Sequence, residues 1–109
     1  MNQDDLRTLT STPEPMTAAE RAALQRLLAI AKSDTGQSRR TADFLLAWWN
    51  AGSCGSFDLT ELWGLDTAIA QDMVTVFALV ARVHVYPDTL GFKADFEAIV
   101  REWRPELVK

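Results

Sequence analysis

Ser38-Arg39-Arg40-Thr41-Ala42-Asp43-Phe44-Leu45-Leu46-Ala47-Trp48-Trp49-Asn50 is the stretch on which the fold turns. Placed at 100° steps, Thr41, Phe44, Leu45, Trp48 and Trp49 form a broad apolar arc, and Arg39, Asp43 and Asn50 form a narrow polar stripe. A helix that is apolar round most of its circumference is normally covered by several neighbours. The reading is a central helix over about Arg39 to Asn50, capped by Ser38 and ended by Ala51-Gly52-Ser53-Cys54-Gly55-Ser56, whose glycines and serines favour turn geometry.

Working back from that helix, Thr17-Ala18-Ala19-Glu20 is a capping box. It opens a first helix with Leu24, Leu27, Leu28 and Ala31 on one face and Ala22, Arg26, Ala29 and Ser33 opposite. Residues 1–16, with Asp4, Asp5, Glu14 and two prolines, read as a flexible acidic tail, leaving 17–109 as a single domain. Working forward, Asp58-Leu59-Thr60-Glu61 resembles a second capping box and opens a short helix closed by Gly64. A long helix follows Asp66, with Ile69, Met73, Val76, Val80 and Val83 on its stripe. Its end is open between Val83 and Tyr86, because Pro87 disfavours helix at the residue before it. Phe92, Phe96, Ile99, Val100 and Trp103 mark the last helix, which Pro105 stops. The expected architecture is all-α: a compact bundle of four main helices plus one short one.

The chain has 109 residues, 48% of them hydrophobic, so by size scaling roughly two-thirds of its extended surface can be buried without a disulfide or a structural metal. One cysteine, Cys54, cannot form an intrachain bridge. No apolar run reaches the roughly 20 residues that span a bilayer, and the first residues lack a signal-peptide pattern, so a cytoplasmic setting is expected.

The net charge of −4 hides a segregation along the chain. Between Glu20 and Arg40 there are five basic residues against two acidic ones. From Thr41 to Ala81 there is no lysine or arginine, while Asp43, Asp58, Glu61, Asp66 and Asp72 contribute five negative charges. An electrically two-sided fold is expected. The plain reading is solvated faces and helix N-termini that attract carboxylates. The functional reading is an acidic patch that docks a basic partner, or stands in for the phosphates that a nucleic-acid-binding groove accepts.

Three further groups bear on function. Trp48 and Trp49 point about 100° apart on a helix. The plain reading puts both in the core; the functional one leaves Trp49 and Leu46 partly exposed as an anchor for a partner or a second copy. Trp63 poses the same choice. Arg26, Lys32, Arg39 and Arg40 are the residues a nucleic-acid-binding regulator would use, although pI 4.8 argues against it. Cys54 and His84, each single in the chain, are the only possible nucleophile and imidazole pair. The wheel instead makes His84 a partly buried side chain satisfied by a backbone carbonyl, and Cys54 a tolerated loop residue. With no phosphate loop, dinucleotide fingerprint or metal-ligand spacing, no enzyme, cofactor or metal is expected.

The stretch from Ser33 to Ala51, then Phe57-Asp58-Leu59, Leu62-Trp63-Gly64, Tyr86-Pro87-Asp88-Thr89-Leu90-Gly91 and Trp103-Arg104-Pro105, resembles a small uncharacterised proteobacterial family. The resemblance implies a short bacterial accessory protein, often associated with integrative conjugative or other mobile elements, and it carries over no catalytic residue or ligand. The function expected from residues and resemblance together is a non-enzymatic module acting by protein–protein interaction, in one version as an inhibitor of a host nucleic-acid-targeting system.

Overall fold

A computed structural model describes residues 16–108. Four α-helices carry the fold: α1 (Ala18–Ala31), α2 (Gly36–Cys54), α3 (Thr67–Val83) and α4 (Lys93–Trp103). Three 3-10 segments complete it, Leu59–Gly64, Pro87–Leu90 and Pro105–Leu107. The all-α bundle of four main helices is therefore as expected, and no strand occurs among the described residues.

α1 starts on the capping box. The Thr17 hydroxyl accepts from the Glu20 amide at 3.0 Å, and the Glu20 carboxylate accepts from the Thr17 amide at 2.9 Å. Leu24, Leu27, Leu28 and Ala31 are buried as their spacing requires. Residues 1–15 of the expected tail lie outside the described residues. Met16, assigned to that tail, is instead part of the core, because the cap fixes the direction in which the chain enters the helix.

α2 begins earlier than expected. Thr35, not Ser38, is the N-cap: its hydroxyl accepts from the Ser38 amide at 3.0 Å, and Ser38 is buried in the first turn. Both residues can cap. The earlier start places Gln37 in the helix, where its amide group both accepts from the Asp66 backbone N–H at 2.7 Å and donates to the Asp66 carboxylate at 3.2 Å. At the other end the helix breaks at Asn50, as read, with φ −162° and ψ 80°. Ala51–Cys54 then forms one more helical turn rather than an open loop, because the Asn50 side chain caps it by accepting from the Ser53 amide at 3.1 Å. Gly55 ends this turn at φ 98°, a conformation that suits glycine.

The short Leu59–Gly64 element is 3-10 rather than α. The Asp58 carboxylate takes the Thr60 amide at 2.9 Å and the Thr60 hydroxyl at 2.8 Å, while Glu61 turns away from the cap to Arg40. Gly64 leaves room for this approach: a Cβ there would lie 2.9 Å from the Arg40 guanidinium carbon, so a larger residue obliges that side chain to shift. α3 ends at Val83, where His84 takes up a left-handed conformation at φ 60°. Along α3, Met73, Val76 and Leu79 are the buried residues, whereas Ile69, Val80 and Val83 are half-buried. The stripe is thus rotated toward Leu79 by the position of α1.

α1, not α2, is the centre of the bundle. It packs against α2, α3 and α4, while α2 packs closely only on α1 and α4. Phe96 of α4 makes T-shaped contacts with Trp48 and Trp49 at centroid separations of 5.8 and 6.1 Å and is fully buried. Among the described residues, no helix is long and apolar enough to cross a membrane.

Replacing Phe96 by Ala opens a cavity beneath both tryptophans and should cost about 3–5 kcal/mol in urea unfolding, with a red shift of tryptophan emission. Glu20 gives a second test. The Thr17 backbone N–H holds its carboxyl below the ordinary 4.5, with Arg82 adding to the effect against the opposing influence of burial. The stability this contributes is present above pH 4.5 and lost as pH falls through the lower folded-state value. Glu20→Gln should therefore flatten the acid limb of the stability profile below pH 4.5; a limb parallel to wild type contradicts the assignment.

Candidate interaction surface

The acidic middle of the chain is not an open acidic face. Asp72 of α3 accepts both a 2.8 Å and a 2.9 Å bond from Arg26 of α1. Asp43 of α2 bridges Arg39 at 2.9 Å and Arg104 at 2.7 Å. Glu61 accepts from Arg40 at 2.6 Å and lies 3.6 Å from Arg39. Asp66 is held by Gln37, and Asp58 by Thr60, whose hydroxyl and amide keep the Asp58 carboxyl below its usual range. The expected two-sidedness is reduced because the basic and acidic segments pack on one another, pairing Asp43, Glu61 and Asp72 with arginines and leaving Asp58 and Asp66 on neutral partners. The same pairing engages the proposed nucleic-acid residues: Arg26, Arg39 and Arg40 hold the carboxylates just named, and Lys32 reaches Asp95 at 2.6 Å.

Arg104 is the most confined of these cations. Besides Asp43 it donates to the Cys54 carbonyl at 2.8 Å and the Trp103 carbonyl at 2.9 Å, tying the end of α4 to the last turn of α2.

Leu46 and Trp49 do not form an exposed anchor. Leu46 is fully buried, and Trp49 is half-buried against Phe96, because α4 covers the flank that the helical wheel left open. Trp48 is also half-buried and donates its indole N–H to the Val85 carbonyl at 3.1 Å. Trp63 is 85% exposed on the 3-10 segment.

The uncovered apolar surface lies elsewhere, along the groove between α2 and α3. Phe44 of α2 meets Phe57 edge-on at 5.4 Å, and these rings line two adjoining depressions of about 220 and 260 Å³. Leu59 and Phe77 border both, Val74 borders one, and Ala47, Trp48 and Val80 complete the other. Leu59, Val74 and Phe77 are 67%, 63% and 62% exposed. Leu59 and Phe77 are therefore ridges standing beside a hollow. Neither Val74 nor Phe77 belongs to the face that α3 turns to the core. The sequence did hold a signal for them: of the 17 residues of α3 only Asp72 and Arg82 are charged, the composition of a helix covered on more than one side.

The remaining candidates stay apart from this groove. Cys54 is buried at the end of α2, and burial pushes its thiol above the ordinary 9.0. It is a helix-end core residue rather than a loop residue. His84 is exposed, not partly buried; its ring nitrogen lies 2.9 Å from the Ala81 carbonyl, the expected kind of partner. A broader hollow of about 690 Å³ between Ala47–Gly52 and Tyr86–Thr89 carries Asp88 as its one charged lining side chain. No cluster of three metal-ligating side chains occurs among the described residues.

Fold and surface together define a small all-α domain whose basic and acidic segments are joined by ion pairs of Arg26, Arg39, Arg40 and Arg104, with one apolar side left open among the described residues. The chain belongs to a family of unknown function, DUF7673, which matches residues 21–104, from the first turns of α1 to the end of α4. No curated protein and no solved structure matches the chain.

Because Asp43 serves a confined arginine as well as an exposed one, its two bonds can be separated by substitution. Asp43→Ala should destabilise the fold by about 1–3 kcal/mol by leaving Arg104 without its carboxylate. Arg39→Ala, which loses the exposed pair with Asp43 and the longer contact with Glu61 while leaving Arg104 on Asp43, should change unfolding free energy by less than about 1 kcal/mol.

Proposed function

We propose that this protein is a non-enzymatic interaction module that holds a protein partner on the apolar side formed by α3, Leu59 and the groove against α2. The observation that carries this reading is the joint exposure of Leu59, Val74 and Phe77 beside a groove whose lining is almost wholly apolar. Contiguous apolar surface rimmed by polar residues is characteristic of contact sites, and scattered single residues are not. The resemblance to accessory proteins of mobile elements is the ground for placing this activity in a bacterial cytoplasm.

The charge-based version, in which the acidic residues occupy a groove built for phosphates, loses its main support, since Asp43, Glu61 and Asp72 already hold arginines of the same chain. Nucleic-acid binding through Arg26, Lys32, Arg39 and Arg40 would have to break those same pairs. Neither a single-stranded nor a double-stranded oligonucleotide should shift at low salt, where such binding is strongest.

Affinity capture from the native host, read by mass spectrometry, tests the apolar surface when wild-type and Phe77→Asp baits are compared. The partner should be lost with Phe77→Asp, corresponding to an affinity at least about 30-fold lower for a hot-spot aromatic. It should be retained when Asp58, Glu61 and Asp72 are reversed to Lys in a bait whose helical circular dichroism is preserved. Capture by Phe77→Asp at the wild-type level, with the fold intact, overturns this reading.

A further inference from the structure

We infer that the apolar side of α3 takes a second copy of this chain, in a two-fold symmetric dimer with α3 packed against α3; the inference rests on the reading of that side as an interaction surface and names its occupant. α3 carries two charged side chains, Asp72 and Arg82, and both are turned to α1, where Arg26 and Glu20 hold them. On the flank toward the groove lie Ala70, Val74, Phe77 and Ala81, separated by four, three and four residues, with Thr67, Gln71 and Ala78 exposed beside them. This is the spacing of an a/d seam, the pattern by which one helix lies along another. Val74, Phe77 and Ala81 are exposed, and Ala70 is half-buried. The helix therefore has a second packing stripe that nothing among the described residues covers.

Three properties of the stripe favour a copy of itself over a foreign chain. First, it carries no charge, so facing an identical stripe incurs no like-charge repulsion, and it offers no charge to select or steer a different partner. Second, ridge and hollow lie side by side: Phe77 and Leu59 project next to the depression lined by Phe44, Phe57 and Val80. A two-fold axis beside Phe77 sets each ridge into the hollow of the other copy, the self-complementarity that an isologous contact demands. Third, apolar composition without charged residues at its centre is the mark of homodimer contacts more than of transient ones.

The area sets the strength. The exposed parts of Leu59, Val74 and Phe77 with the groove walls amount to roughly 500 Å² per copy, hence about 1,000 Å² in all, the lower bound for a specific interface. An interface of this size is at the weak end of specific contacts, so the dimer is concentration-dependent.

Sedimentation equilibrium of the full chain over about 1–300 µM tests this directly. The weight-average mass should rise from 12.2 kDa toward twice that value. Phe77→Asp and Val74→Asp, each at an exposed position where the monomer fold tolerates the change, should raise the dissociation constant at least tenfold with unchanged helical circular dichroism. A wild-type chain that stays monomeric throughout overturns the second-copy assignment and leaves the foreign-partner reading to the capture experiment. A dimer that survives both substitutions overturns the placement of the contact on α3.

Discussion

α1, whose Leu24 and Leu27 have no exposed surface, packs against α2, α3 and α4, and the other helices are placed by covering its apolar stripe. A single amphipathic stripe can be buried by at most a few neighbours, and here three helices share one. The arrangement explains why α2 and α3 do not close on each other. Both lean on α1, and the angle between them is left for side chains to fill. Phe44 and Phe57 fill part of it from one side, and Phe77 flanks it from the other. The open groove is thus a by-product of how the core is shared.

The charges follow the same geometry. A basic N-terminal segment and an acidic middle become neighbours once α1 and the start of α2 pack beside α3 and the Leu59–Gly64 segment. Individual exposed pairs of this kind contribute little to stability. Their value here lies in register: Arg26 with Asp72 and Arg82 with Glu20 fix how far α1 slides along α3, and Gln37 with Asp66 fixes where α3 begins.

Much of the fold was legible in the sequence because it depends on local chemistry. The Thr17 and Glu20 box, the break at Asn50, and the stripe of Phe92, Phe96, Ile99 and Val100 all declare themselves within a few residues. The surface was less legible, since a helical wheel shows which side of a helix is apolar and not what covers it. The wheel makes Leu46 and Trp49 a possible contact because they lie at the edge of the arc; α4, far along the chain, covers them. The breadth of that arc was nevertheless informative. Its Phe44 and Trp48 portion, with Ala47 beside it, is the part left lining the groove, so an arc too wide for its neighbours marks a surface rather than a centre. The charge segregation misled for a related reason: position along a chain says nothing about which opposite charge arrives beside it.

Arg104 adds a constraint in time. The helical turn Ala51–Cys54 is held by its own Asn50 cap and by an arginine that lies 50 residues further on. During synthesis, α1, α2 and α3 emerge before Arg104 does, so this turn and Asp43 wait for the end of α4 to be made. A chain cut short before residue 104 lacks the clasp that joins its last helix to its second. Arg104 thereby fastens the groove-bearing helix at its far end from a residue made after everything that it holds.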